Sequence, residues 1–144
     1  MRKKFQVISD LANVQKASEQ VLSFLKPLCL SEAALFDIRL CLEEALINAM
    51  KYGNALRKDL EVELEVEGSP EEVRITVQDQ GPGFDVKKLE DCTQEKNLFR
   101  NHGRGVYLMH QLMDEVRYNE KGNRLLMVKV LKGQQRGDHG RQVV

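Results

Sequence analysis

The amino-acid sequence predicts an α+β domain in which a mixed, mainly antiparallel sheet carries helices on one face. Residues 60–67 alternate strictly between apolar and acidic side chains, which is typical of a strand with one face in water. Residues 11–28 and 31–52 instead space their apolar side chains by three, four and seven, as helices do. The predicted order is strand, helix, helix, two strands, loop, helix, two strands, which is not the regular alternation of a parallel sheet.

The N-terminal region is predicted to form a short strand over residues 5–8 and then the first helix. Ser9 and Asp10 follow the strand, and their side-chain oxygens are candidate N-caps for that helix. A turn at residues 27–30 separates it from the second helix.

The second helix is predicted to begin after Ser31 and to run to about Tyr52, where a Gly-Asn pair ends it. Phe36, Leu40 and Ile47 widen its apolar stripe on one side. We therefore expect this helix to pack against both the sheet and another helix.

The second half of the chain is predicted to complete the sheet. The turn G-S-P at residues 68–70 indicates that residues 60–67 pair with the next strand as an antiparallel hairpin. The further predicted elements are a strand, a short helix, a longer helix and two strands: 73–77, 86–90, 104–114, 116–118 and 125–131.

Length, charge and hydropathy set broad limits on function. The 144 residues suit one domain, predicted over residues 1–132, followed by a polar tail over 133–144 that we expect to be mobile. Lys plus Arg and Asp plus Glu number 22 each, a balance that argues against a nucleic-acid binder and a polybasic membrane module. No segment approaches the ~20 apolar residues of a membrane span.

The three cysteines, Cys29, Cys41 and Cys92, are odd in number and far apart in sequence. A disulfide framework is therefore not expected, and reduced thiols predict a cytoplasmic protein. Cys29 and Cys41 lie in apolar helical patterns, so we expect both to be small core residues.

The first chemically informative cluster is E-E-A-L-I-N-A on the second predicted helix. Glu44 and Asn48 are four residues apart, so both project from the same side. A carboxylate can take a proton, and a carboxamide oxygen can coordinate Mg²⁺. The alternative is two ordinary polar residues on a solvated helix face.

The second cluster is D-Q-G-P-G-F, which begins where a predicted strand ends at Asp79. Gly81 and Gly83 allow the backbone to bend sharply or to approach a ligand closely, and Pro82 stiffens the bend. The alternative is a plain β-turn.

The third cluster is H-G-R-G-V, just before a predicted helix. Gly103 and Gly105 allow close approach to free N–H groups at a helix start, and Arg104 adds a charged fork, a combination that suits phosphate. The alternative is a flexible loop that enters a helix.

Taken together, the three clusters resemble the N, G1 and G2 boxes of the GHKL ATP-binding superfamily. Within it the chain looks most like the small bacterial anti-sigma-factor serine/threonine kinases. The stretches L-E-E-A-L-I-N-A-M-K-Y-G-N, D-Q-G-P-G-F and G-R-G-V-Y-L-M-H-Q-L-M-D-E-V carry the likeness, which covers roughly residues 5–132. The resemblance implies the Bergerat ATP-binding fold, a two-layer α/β sandwich, with ATP and Mg²⁺ as cofactors.

The resemblance also implies a role for individual residues. Asp79 would accept a hydrogen bond from the adenine amino group, Asn48 would bind Mg²⁺, and Glu44 would be the general base. The other residues expected to contact nucleotide, in the turn and the lid, are Gly81, Gly83, Gly103, Arg104, Gly105 and Val106. Which of the cations neutralises phosphate charge stays open among Lys51, Arg100 and Arg104.

Two regions of the sequence depart from the family pattern. Asn123 and Arg124 occupy a hairpin where relatives often have a threonine near adenine, and Asn123 is a candidate polar replacement. Tyr52 stands where relatives often have histidine.

The function implied is phosphorylation of a serine or threonine on a small anti-sigma-factor antagonist, which would regulate a sigma factor, and so transcription, by partner switching. A homodimer is expected by family analogy only, and neither nucleic acid nor a membrane is an expected partner. One alternative is a nucleotide-gated protein-binding module without significant kinase activity. Another is a catalytic domain that phosphorylates a separate histidine-containing protein.

Overall fold

The computed structural model describes residues 1–82 and 101–131, and of residues 101–104 it describes only the backbone. Five strands and three longer helices lie in these ranges. In chain order they are β1 (Arg2–Ile8), α1 (Val14–Leu25), α2 (Glu32–Asn48), β2 (Glu61–Gly68), β3 (Glu72–Gln78), α3 (Asn101–Leu112), β4 (Glu115–Tyr118) and β5 (Arg124–Val130). The predicted helix over 86–90, the tail over 133–144 and Cys92 lie outside the described residues.

The five strands form one sheet in the order β1-β2-β3-β5-β4. Each neighbouring pair among them is antiparallel, which confirms the predicted α+β class and makes the described sheet wholly antiparallel. The hairpin of β2 and β3 forms as the alternating pattern predicts, with Leu64 opposite Phe5 on one side and Val77 on the other.

The core lies between one face of this sheet and the helices. Val62, Leu64 and Val66 of β2 point inward and are fully buried. The glutamates between them point to the other face, where Glu65 pairs with Arg2 at 2.7 Å. This is the two-layer arrangement that the alternation indicates.

Helix α2 is the central helix and packs against the sheet, α1 and α3, as its wide apolar stripe predicts. Phe36 is an exception, because 63% of its surface is exposed. It lies two residues from the buried Ile38, or about 200° around the helix, and so points away from the sheet. The expectation that Phe36 belongs to the packed stripe is therefore wrong.

Three features at the helix ends differ from the predictions: two helix boundaries and the burial of one residue. After Asn48 the chain continues as a wider, π-helical turn over Ala49–Gly53. Cys29 is exposed rather than buried, because it ends the first helical segment in a left-handed conformation with φ 51°. Helix α3 begins at Asn101, earlier than predicted, so Gly105 lies inside the helix.

Candidate active site

Two adjoining cavities lie beside the C-terminal half of α2, and they share Asn48 and Tyr52. The first reaches the ends of β3, β4 and β5, and it is lined by Ala45, Asn48, Ala49, Tyr52, Gly53, Val77, Asp79, Tyr118, Asn123 and Leu125. The second lies between α2 and α3, and it is lined by Glu44, Ile47, Asn48, Lys51, Tyr52, Gly105 and Leu108. The structure therefore brings residues of all three sequence clusters into one continuous region.

Asp79 supplies a carboxylate to the first cavity, immediately after β3. Its side chain is only 9% exposed, and Oδ1 accepts a hydrogen bond from the Gly81 N–H at 2.8 Å. Burial raises the pKa of Asp79, and the Gly81 hydrogen bond and the charge of Lys121 oppose that rise. A hydrogen-bond acceptor in a largely apolar cavity is suited to a flat ligand that donates from one edge.

Two glycines make room for this carboxylate. A Cβ atom on Gly53 would overlap the carboxyl group of Asp79, and one on Gly81 would overlap the carbonyl group of Gly53. The approach of the turn to the Gly53 carbonyl thus explains Gly81 within the fold, whereas its expected approach to a ligand stays a prediction. The close approach of Asp79 also explains Gly53, which the sequence pattern indicates only as the end of a helix.

Asn54 fixes the position of this turn and is a site residue that the sequence pattern does not reveal. The residue is 1% exposed, its Oδ1 accepts from the Gln80 N–H at 2.8 Å, and its Nδ2 donates to the Glu61 carbonyl at 3.1 Å. It therefore joins the segment after Asp79 to the end of the π-helical turn that follows α2, and to the start of β2. The signal in the sequence is a Gly-Asn pair, which is also a common helix ending.

Glu44 and Asn48 face the second cavity from consecutive turns of α2. Asn48 is 8% exposed, and its Nδ2 has no hydrogen-bond partner within the described part of the chain. Buried amide groups are normally paired, so an orphaned one at a cavity is a suitable place for a polar ligand.

Helix α3 closes this side of the site at Gly105. A Cβ atom there would lie 2.6 Å from Glu44 Oε2 and 3.3 Å from Asn48 Nδ2. The absence of a side chain lets α3 approach both polar groups directly. Gly105 therefore belongs to the site by proximity, although it is not at the start of a helix as predicted.

The remaining predicted site residues are described unequally. Lys51 lines the same cavity as Glu44, and its Nζ lies 5.5 Å from the centroid of the Tyr52 ring. Val106 is buried in the core. Gly83 and Arg100 lie outside the described residues, and for Gly103 and Arg104 only the helical backbone is described.

Asn123 lies in the hairpin loop beside Asp79. Its carbonyl accepts from the Asp79 N–H at 3.0 Å, and its Oδ1 accepts from Asn119 Nδ2 at 2.9 Å. Burial raises the pKa of the neighbouring Tyr118, and the charge of Asp79 adds to that rise. The structure thus lines the Asp79 cavity with Asn123, the candidate replacement for the missing threonine.

The described residues offer no group of three or more His, Cys, Asp or Glu side chains that could hold a metal ion. A magnesium ion at Asn48 would suit a site completed by water and by oxygen atoms of a bound phosphate, which is how this ion is often held. Within residues 1–82 and 101–131, no helix is long and apolar enough to cross a membrane.

Comparison with known proteins gives concordant matches. A family model described as "Histidine kinase-like ATPase domain" matches residues 7–129. "Serine-protein kinase RsbW" of Staphylococcus epidermidis is 30% identical over 117 residues, which cover 74% of this chain and 72% of that protein. "Serine-protein kinase RsbW" of Listeria monocytogenes is 26% identical over 120 residues, covering 78% and 76%.

A solved structure shows the same fold. The crystal structure of the RsbU and RsbW domains of Rv1364c from Mycobacterium tuberculosis aligns with a TM-score of 0.61 at 14% identity. The alignment covers 90% of this chain but only 32% of that one, so the likeness concerns about a third of the larger protein.

Proposed function

This chain belongs to the histidine kinase-like ATPase family and is homologous to the RsbW serine-protein kinases, and from that premise we propose that it phosphorylates a protein hydroxyl with ATP. The substrate is a serine or threonine of a small anti-sigma-factor antagonist, in the cytoplasm. Exchange between that antagonist and a sigma factor would then regulate transcription. The observation that carries the proposal is the proximity of Glu44, Asn48 and Gly105, one cavity away from Asp79.

The first cavity is proposed to hold adenine. Asp79 presents a carboxylate acceptor to a ring amino group, and that ionised acceptor forms a stronger hydrogen bond than a neutral one would. Gly53 and Gly81 leave the space that the base edge needs. This arrangement favours adenine over guanine, which presents a carbonyl oxygen at the same ring position.

The second cavity is proposed to hold the phosphates. The carboxamide of Asn48 would hold Mg²⁺, and that ion would supply positive charge against the phosphates. Among the described residues, Lys51 is the cation placed to assist, because it lines this cavity together with Glu44 and Asn48.

Glu44 is proposed as the general base for transfer. The hydroxyl oxygen of the substrate forms a bond to the γ-phosphorus while the bond from that phosphorus to the β,γ-bridging oxygen breaks, so that ADP leaves. The hydroxyl proton passes to the Glu44 carboxylate. Position and charge neutralisation supply most of the rate, and the base contributes a further factor of roughly 10²–10⁴.

The proposal is tested by phosphate transfer to an anti-sigma-factor antagonist, for which the products of neighbouring genes are the candidates to screen. We expect ATP labelled at the γ-phosphate, with Mg²⁺, to label that protein in an acid-stable form, because serine and threonine phosphates survive acid. An acid-labile product would indicate a phosphorylated histidine instead. ATP binding without any transfer would indicate the nucleotide-gated binding module.

A further inference from the structure

Helix α2 carries an exposed apolar strip on the side away from the sheet. Phe36 is the most exposed large apolar residue in the described part of the chain. Leu40 and Ile47 are half-buried, Ile47 partly against the core, and both lie within about 40° of Phe36 around the helix, at 100° per residue. We call Phe36, Leu40 and Ile47 the α2 apolar strip.

The strip runs directly into the second cavity. Ile47 lines that cavity together with Glu44, and Leu108 adds an apolar side chain from α3. Glu44 lies on the flank of the strip, eight residues from Phe36, or about 12 Å along the axis at 1.5 Å per residue. Because this apolar surface ends beside the candidate base, a molecule bound along it would be aligned with Glu44.

The charges beside the strip do not compete for a partner. On its other flank, Arg39 and Glu43 pair with each other at 3.3 Å, so the two charges are mutually compensated. Recognition on this face of α2 would therefore depend on apolar contact more than on net charge. Exposed aromatic residues are frequent anchors of such contacts.

We propose that the α2 apolar strip is the docking surface for the protein substrate. The substrate lays an apolar segment along α2, with one side chain against Phe36, and this contact presents its serine or threonine hydroxyl to Glu44 about 12 Å away. The inference rests on the proposed kinase function and adds the surface that selects the substrate. The C-terminal segment, residues 133–144, is a poor alternative occupant because its only large apolar residues are the final two valines.

The test compares two exposed apolar residues on opposite layers of the domain. Phe36 is replaced by Ala, and Ile8 is the matched control, because it is 53% exposed but lies on the open face of the sheet, opposite Glu61. The probe is the antagonist protein that the parent chain labels in the transfer assay described above. We expect Phe36→Ala to raise the KM for that protein at least about tenfold. The kcat at saturation and the Kd for ATP should stay within about twofold of the parent values, and Ile8→Ala should change none of the three.

A conservative variant and a second measurement separate the other outcomes. Phe36→Leu, which keeps an apolar anchor, should recover most of the loss. An unchanged KM in Phe36→Ala would overturn the docking surface. A shift from dimer to monomer in sedimentation equilibrium would also overturn it, because the strip would then join two copies of this chain. Failure of the parent chain to transfer phosphate would overturn the proposed function itself.

Discussion

The buried carboxylate of Asp79 lowers the stability of the fold and at the same time offers a ligand a hydrogen-bond acceptor. Its carboxylate is largely buried, and Oδ1 accepts a hydrogen bond from the Gly81 N–H. Burial raises the pKa of this group, so its ionised form is less favourable in the folded protein than in the unfolded chain. A bound amino group would give this carboxylate a further hydrogen bond.

Asp79→Asn should therefore change affinity and stability in opposite directions. The neutral carboxamide accepts a weaker hydrogen bond, so the Kd for ATP should rise about tenfold, measured by calorimetry. Because a raised carboxyl pKa makes stability fall as pH rises through it, the variant should melt higher than the parent at pH 7. That advantage should vanish below about pH 4, where both unfolded and folded Asp79 are protonated. Unchanged ATP affinity, or equal affinity of the parent for ATP and GTP, would contradict the adenine role.

Sequence spacing predicts some residues of the site and cannot predict others. Glu44 and Asn48 are recognisable because a four-residue interval places them on one side of a helix, whatever lies opposite. Gly53 and Asn54 are not, because their roles depend on Asp79 and Gln80, which are 26 residues further along the chain. Such a contact exists only after the strands have paired.

At the scale of elements, the end of the first helical segment is a strained point. Cys29 adopts a left-handed conformation with φ 51°, where a glycine is usual, and its N–H donates to the Lys26 carbonyl at 3.0 Å. An L residue with a Cβ atom pays roughly 1–2 kcal/mol for this conformation.

Cys29→Gly should raise the free energy of unfolding. We expect a gain of about 0.5–1 kcal/mol, because the relieved strain exceeds the extra entropy that glycine has in the unfolded chain. Chemical denaturation measures the change. Cys29→Ala is the matched control, since it removes the thiol but keeps the Cβ atom. A similar gain in the alanine variant would assign the effect to the thiol.

A buried lysine joins three elements at the other end of the α2–α3 contact. Lys129 of β5 is nearly buried, and its Nζ lies 2.9 Å from Asp37 Oδ2 on α2 and 2.7 Å from the last carbonyl of α3, at Leu112. The hydrogen bond from Lys129 holds the C-terminal end of α3. Nearer the N-terminal end of α3, Gly105 approaches Glu44.

Lys129→Ala should destabilise the protein by about 2–3 kcal/mol, because Asp37 then keeps a partly buried charge without its partner. Replacing both residues, with Lys129→Met and Asp37→Leu, should recover much of that loss, and a double-mutant cycle gives the coupling. Arg57→Ala serves as the control, since its pair with Asp59 is exposed and screened by water and should contribute little to stability. A loss as small as that control would contradict a role for Lys129 in holding α3.

The type of an element can be predicted from the sequence where its apolar pattern repeats. The boundary of an element cannot be predicted where a tertiary contact determines it. The alternation in β2 predicts its two faces because the period of a strand is two residues. Glycine is unfavourable inside helices, so the two glycines beside Arg104 favour the start of a helix over its interior. The close approach of α3 to Glu44 and Asn48 overrides that preference at Gly105.

At the scale of the whole molecule, the charged residues fall into two groups, although positive and negative charges are equal in number. On the open face of the sheet, Arg2 and Lys4 of β1 lie against the glutamates of β2, notably Glu65. Those charges are compensated within the fold. Glu44 and Asp79 form no ion pair among the described residues, and both line the cavities of the candidate active site. Net charge therefore excludes classes of partner but does not locate the site.

If this region binds ATP and the Glu44 carboxylate promotes transfer of the γ-phosphate to the substrate, Glu44→Gln tests both roles most directly. The measurement is single-turnover phosphate transfer to the antagonist at saturating ATP, with the Kd for ATP determined in parallel. We predict a Kd within about twofold of the parent value and a transfer rate lower by at least about 100-fold. Transfer at the parent rate would contradict the account.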